Sequence, residues 1–339
     1  FYYTVLMENS LPFPQGSLLF APMEGVTDEA YRRVLYKYFA EWDYYFCDFL
    51  RVPTVGHYPD KKLRSHYGDS VLQKPKWKQI TGYQILAPAK AHVEETVLQL
   101  DQIGPDHLDI NLGCPSKKVN THGGGAYLLS DIPKLREILR TIRKNFSRTL
   151  TAKIRVGYRD DRNFSDLLKL FEDEGIEAIT IHARLRDQLY KGVADWDYIK
   201  KACRESSLPI IGNGDLWGPQ DLQAMFEECG CYALMCGRGA LKTPWLARLY
   251  KEESPQVWEN ETLLLQERKE TIPFYFYALE KEYRQLGQNQ ESFLLAKFKG
   301  LSRYLFEDFD QSEKLRSRFL RSQTLEEFHS HLEGLKKLH

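Results

Sequence analysis

At 339 residues, with 42% hydrophobic side chains, the chain is long enough for one large domain and a smaller appendage. Lys plus Arg and Asp plus Glu both number 47, which excludes a broadly basic surface; a polyanion partner would have to be held by local clusters. Six cysteines without a C-x-x-C pair fit a reduced protein, and the spacing of Cys229, Cys231 and Cys236 reads as small core filling, so neither disulfides nor a metal is expected.

The start Phe1-Tyr2-Tyr3 has no basic segment before it as a signal peptide would, and no apolar run is long enough to cross a bilayer. A cytoplasmic location is therefore expected. From there, short β-rich runs at 18–23, 44–49, 80–86, 107–112, 149–156, 178–182, 209–212 and 233–236 alternate with amphipathic stretches such as 133–146 and 164–174. This is the pattern of a (β/α)8 TIM barrel, although a doubly wound open sheet fits the alternation nearly as well. The polar residues decide: Pro22-Met23-Glu24, Arg51, Gln84, Asn111 with Cys114, Lys153 with Arg155, His182 with Arg184, Asn213-Gly214-Asp215 and Gly237-Arg238 each fall at or just past the end of a different run. A barrel gathers all of these ends around one mouth, whereas an open sheet brings only some of them to one crevice.

After Trp245 the strand signals stop, and 262–286, 291–308, 311–321 and 325–338 carry apolar residues at helical spacing. The expected organisation is a barrel over 1–250, a linker around Pro255, and a small C-terminal helical bundle over 251–339.

Three features carry chemistry. The run 109–126 ends an apolar strand in a polar loop headed by Cys114 and Pro115 and closed by Gly123, Gly124 and Gly125, which presents a thiol and the Asn111 amide. Asn213-Gly214-Asp215 and Gly237-Arg238 supply close-approaching amides and a guanidinium after the last two strands, where barrels bind phosphate. Strand alternation sends Lys153 and Arg155 to the barrel interior, where they need an anionic ligand or an internal carboxylate such as Asp109.

These residues also fall into named motifs. Ala21-Pro22-Met23-Glu24-Gly25-Val26-Thr27-Asp28, Asn111-Leu112-Gly113-Cys114-Pro115-Ser116-Lys117, Lys153-Ile154-Arg155-Val156-Gly157, His182-Ala183-Arg184, Asn213-Gly214-Asp215 and Gly237-Arg238-Gly239-Ala240-Leu241 occur in the order found in the tRNA-dihydrouridine synthases, which the chain resembles over nearly its whole length. The Cys114 loop and the helical tail look most like the bacterial C-type group, whose members modify the D-loop uridine at position sixteen.

The resemblance implies FMN across the barrel mouth, bound by Pro22, Met23, Glu24, Gln84, Lys153, His182, Asn213, Gly214, Asp215, Gly237 and Arg238, with NADPH or NADH as electron donor. It implies Cys114 as the acid that protonates uracil C5, with Asn111, Lys153 and Arg155 also in the catalytic set. It further implies tRNA contacts from Arg51, Lys297, Lys299 and Arg321, and a monomer is expected. Basic stripes are also visible at Arg136, Arg140 and Arg143 and at Lys314, Arg318 and Arg321, although the chain after position 250 holds 14 basic against 16 acidic residues. Two departures stand out: Ala183 and Leu185 replace a usual glycine and threonine, and Phe306 stands where the C-type group tends to carry a basic residue. Two other readings compete, a phosphate-binding barrel lyase using Lys153 as a Schiff base and a non-catalytic RNA-binding protein.

Overall fold

Period-two alternation in the β-rich runs produces the barrel. The structure, a computed structural model, describes residues 11–335; Phe1-Tyr2-Tyr3 and the last residues of the expected helix 325–338 lie outside them. The strands are β1 (Leu18–Phe20), β2 (Tyr44–Phe46), β3 (Leu50–Arg51), β4 (Thr81–Leu86), β5 (His107–Leu112), β6 (Thr149–Gly157), β7 (Ala178–Leu185), β8 (Ile210–Asn213) and β9 (Ala233–Cys236). All pairings are parallel, and β2 pairs with both β1 and β4, which closes the sheet.

The sequence reading did not include β3. It pairs with the end of β4, while β2 pairs with its beginning. The two are therefore pieces of one barrel position, and the expected eight positions remain.

On β5, Leu108, Ile110 and Leu112 join the apolar layer beneath the surrounding helices, while His107, Asp109 and Asn111 alternate with them toward the interior. On β6, Leu150, Ala152, Ile154 and Val156 belong to that outer layer, leaving Thr151, Lys153 and Arg155 on the inner face. The barrel floor is apolar, with Leu19, Tyr44, Phe46, Ala178, Ile211 and Met235 packed together under Phe13. Gly82 makes this filling possible: a Cβ there would lie 2.6 Å from the Phe46 ring.

The helix Ile132–Asn145 begins where Asp131 accepts from the Lys134 amide at 3.1 Å, with proline in the first turn, and buries Leu135, Ile138, Leu139 and Ile142. Its Arg136 and Arg140 both pair with Glu174, and Arg143 pairs with Glu177. Each arginine of this stripe is thus paired within the fold.

Helix Leu246–Glu252 runs across position 250, and the chain leaves it at Glu253 before the short helix Pro255–Trp258. Four helices follow, Glu261–Gln285, Glu291–Leu305, Ser312–Arg321 and Leu325–Leu335, close to the expected ranges. The first of them docks on the barrel helix Glu29–Tyr38: Tyr275 meets Tyr31 edge-on at 6.2 Å, and fully buried Glu282 takes Arg33 at 2.7 Å and Lys37 at 2.5 Å. Residues of both parts belong to one apolar core. Among the described residues no helix is long and apolar enough to cross a membrane, and no cluster of three or more metal-ligating side chains occurs.

Candidate active site

A cavity of about 110 Å³ opens at the C-terminal ends of the strands. Nine of the expected residues line it: Pro22, Met23, Lys153, His182, Asn213, Gly214, Asp215, Gly237 and Arg238, joined by Tyr190, Leu216 and Trp217. Pro22 follows the end of β1, Lys153 projects from the inner face of β6, and Asn213 ends β8. Gly214 sits at φ +125°, and a Cβ on it would lie 2.9 Å from that of Ala194 and 3.2 Å from the His182 ring, so only glycine leaves this wall open.

The cavity is cationic. Asn213 is fixed by donating to the Met235 carbonyl at 2.6 Å and accepts from Lys153 Nζ at 3.0 Å. The carboxylate partner considered for Lys153, Asp109, acts on it only through its charge; burial and Arg155 bring the Lys153 ammonium down to about 8. Asp215 bridges Arg184 at 2.6 Å and Arg238 at 3.1 Å, and the Arg238 guanidinium lies over Tyr190 at 4.7 Å and over Trp217 at 4.8 Å. Burial, together with the charges of Lys153, Arg155, Arg184 and Arg238, holds His182 well below its ordinary pKa. It is therefore a neutral ring, and its Nε2 accepts from Arg184 at 3.3 Å. Four cations against two carboxylates, Asp109 and Asp215, leave the cluster short of negative charge.

The Ala183 departure falls at an irregularity. Arg155 pairs with His182, but Gly157 pairs with Leu185, so β7 carries an extra residue across from Val156. Ala183 is buried, and its carbonyl accepts from the Asp195 amide at 2.8 Å.

The Cys114 loop follows β5 at the same end of the barrel; Cys114, Asn111 and Arg155 do not line the cavity, and Cys114 packs against Phe49, Leu86 and Val119. Asn111 accepts from the amides of Gly113 at 3.1 Å and Cys114 at 2.9 Å, while Asn120 donates to the Cys114 carbonyl at 3.0 Å. The partly buried thiol lies within the fields of Glu24, Arg51 and Arg155, and burial raises its pKa. Arg155 ties two loops together by donating to the carbonyls of Gly113 at 3.0 Å, Leu185 at 3.0 Å and Leu189 at 2.8 Å.

Gln84 differs from expectation. It does not line the cavity: it is fully buried, donates to Asp109 at 2.6 Å and accepts from Asn111 at 2.9 Å. Glu24 is exposed at the rim, 3.0 Å from Arg51.

Of the expected RNA contacts, Arg51 stands at this rim and Arg321 is exposed at the end of its helix, while Lys299 is half-buried. Lys297 is engaged within the fold, donating to Asp28 at 2.6 Å and to the Gly25 carbonyl at 2.8 Å. Asp28 also caps the first barrel helix and accepts from Tyr283 at 3.0 Å. Phe306 is buried and stacked on Phe319 at 4.3 Å, so this departure belongs to the tail's core.

Sequence reasoning gave no role to Tyr190 or Trp217. Both sit in irregular loops, where no periodicity sets a side chain's direction; the available signal was an aromatic residue shortly after each of the His182–Arg184 and Asn213–Asp215 motifs. Asp109 and Thr151 were legible as inward-facing strand positions, but what they join was not.

Comparison with known proteins agrees with this geometry. The family model for dihydrouridine synthase matches residues 19–337. The chain is 32% identical over 281 residues to tRNA-dihydrouridine synthase B of Pasteurella multocida, covering 80% of this chain and 81% of that protein. It is 36% identical over 239 residues to the protein of the same name from Proteus vulgaris, covering 69% and 70%. A tRNA-dihydrouridine(16) synthase of Shewanella oneidensis is 28% identical over 304 residues, covering 88% and 91%.

Proposed function

The chain belongs to the dihydrouridine synthase family, and on that premise we propose that it reduces the C5=C6 bond of a D-loop uridine in tRNA, at position sixteen, using FMN. The carrying observation is a cation-rich cavity and the Cys114 thiol loop gathered at the same end of one barrel.

The residues fit FMN. The uncompensated positive charge around His182 suits a phosphate dianion, and the open wall at Gly214 lets a ligand approach backbone. Arg238, the Gly214 and Gly237 region and Asn213 hold the phosphate end, with Asp215 keeping Arg238 in place. Lys153, Pro22, Met23 and His182 take the remainder, with Glu24 at the rim, while Gln84 acts only through Asp109 and Asn111. When bound, FMN supplies the hydride that adds to uracil C6, with NADPH or NADH as the electron source.

The protein's own residues complete the reaction. Cys114 donates its sulfhydryl proton to C5, and its raised pKa keeps that proton in place at neutral pH. Lys153 disperses the negative charge that develops on the C4 oxygen, and Asn111 and Arg155 hold the edge of the base. Because the target uridine must leave its stack, the enzyme grips the RNA elsewhere. Arg51, Lys299 and Arg321 do so. Arg51 can exchange its exposed partner Glu24 for a phosphate at little cost, and Lys297 sets the tail against the rim.

Support for position sixteen comes from the name of the Shewanella relative, 28% identical over 88% of the chain, although the relatives named synthase B share 32% and 36% over 80% and 69%. Mapping dihydrouridine in tRNA from a strain lacking the protein tests this, since loss at a different D-loop position would refute it. Cys114→Ala is expected to lower product formation by about 10²- to 10⁴-fold with tRNA affinity unchanged. Unaltered turnover would remove Cys114 from the mechanism. A colourless protein trapped at Lys153 by borohydride would return the lyase reading.

A further inference from the structure

A continuous buried hydrogen-bonded chain runs from the barrel floor to the Cys114 loop. Tyr44 Oη lies 3.0 Å from His107 Nδ1, and His107 Nε2 lies 2.7 Å from Thr151 Oγ1. Thr151 donates to Asp109 Oδ1 at 2.6 Å, and Gln84 donates to Asp109 Oδ2 at 2.6 Å. Gln84 Oε1 accepts from Asn111 at 2.9 Å, and Asn111 Oδ1 accepts from the Gly113 and Cys114 amides. All of these side chains are at least nine-tenths buried.

The polarity of this chain has one solution. Thr151 spends its only proton on Asp109, so toward His107 it can only accept, which places the imidazole proton on Nε2 and makes Tyr44 the donor to Nδ1. On the other arm the carboxylate takes a Gln84 N–H, so the Gln84 oxygen faces Asn111, and the Asn111 oxygen faces the loop. Donors on both arms point toward Asp109, which as a carboxylate can only accept.

We propose that Asp109 is a positioning residue for the reaction: as the common acceptor it fixes the orientation of the Gln84 and Asn111 amides, and through Asn111 it holds the backbone carrying Cys114. Reversing the Gln84 amide would turn the Asn111 amide nitrogen toward two backbone N–H groups, leaving donors facing donors in a buried site. The inference rests on the reading of Cys114 as the acid. It adds a residue that touches neither substrate nor cofactor.

A coupled pair of near-isosteric substitutions tests it. In Asp109→Asn the new amide can turn to Thr151, whose hydroxyl then donates to the other His107 tautomer, so Gln84 keeps its acceptor. Thr151→Val alone leaves the Gln84 arm intact. In the double variant valine neither donates nor accepts, so no orientation of the introduced amide satisfies both of its ends, and Gln84 loses its fixed acceptor. Each single variant is expected to keep kcat for uridine reduction within tenfold of wild type, whereas the double variant loses about 100-fold, more than the product of the two singles. The KM for tRNA and the rate of flavin reduction should stay unchanged, and alkylation of Cys114 by iodoacetamide, followed by peptide mass spectrometry, should change only in the double variant. Independent effects of the two substitutions, or Cys114 alkylation equal in all four proteins, would overturn the proposal. If the wild type makes no dihydrouridine, the functional reading fails, while the alkylation comparison still decides the positioning.

Discussion

Replacing Lys153 with methionine measures what the flavin-free protein loses by keeping a cation in the barrel mouth. Burial and Arg155 lower the Lys153 pKa from 10.5 to about 8, a difference worth about 3 kcal/mol against the folded, charged form. Because the ammonium opens on the cavity, solvent relaxes part of that, and roughly half is the expected penalty. Loss of the hydrogen bond to Asn213 offsets about 1 kcal/mol. Flavin-free Lys153→Met is therefore expected to be more stable than wild type at pH 7 by roughly 0.5 to 2 kcal/mol, with flavin affinity reduced about 10- to 100-fold.

The pH dependence is the sharper signature. Between about 8 and 10.5 the unfolded wild-type chain holds the Lys153 proton more tightly than the folded one, so wild-type stability rises with pH across that window. The gap to the variant should close there. Urea midpoints of the flavin-free proteins, followed by tryptophan fluorescence at pH 7 and pH 10, decide it. A variant less stable at pH 7, with a gap that pH does not change, would refute the reasoning.

Three further outcomes are expected. Gly214→Ala places a Cβ 2.9 Å from Ala194 at a φ of +125°, at a cost of about 1 to 3 kcal/mol. It should yield a folded protein, by circular dichroism, that no longer retains flavin; a yellow Gly214→Ala protein would contradict the assigned cradle. Arg321→Ala should lower the salt dependence of tRNA binding by about one unit of slope. Lys297→Ala should instead lower the melting temperature, because it frees Asp28, and a reversed pattern in filter-binding and melting experiments would exchange their roles.

The sequence made the site legible where backbone geometry dictates direction. Period-two alternation sent Lys153 and Arg155 inward, and the position of Asn213 and Arg238 at strand ends placed them at one mouth. Direction was illegible where distant residues decide it. Arg136 and Arg140 look like a free basic face until Glu174 arrives from another helix. Gln84 reads as a strand end, but β4 continues to Leu86, and its partners on β5 hold it away from the cavity lining. Phe306 could be compared with a basic residue only by position, since its burial depends on Phe319. The cavity's aromatic wall comes from loops, and loops carry no period.

The junction between barrel and tail has a consequence for how this protein can be dissected. Asp28 ends the loop that carries Met23 into the cavity wall, and the tail's Tyr283 and Lys297 both hold it, while Glu282 neutralises two cations of the helix that follows. A chain cut at residue 250 would expose Tyr31 and Phe39 to water and leave Arg33 and Lys37 without their counter-charge. Exchanging tails among relatives to redirect the enzyme along tRNA would therefore require transplanting the first barrel helix and its preceding turn as well.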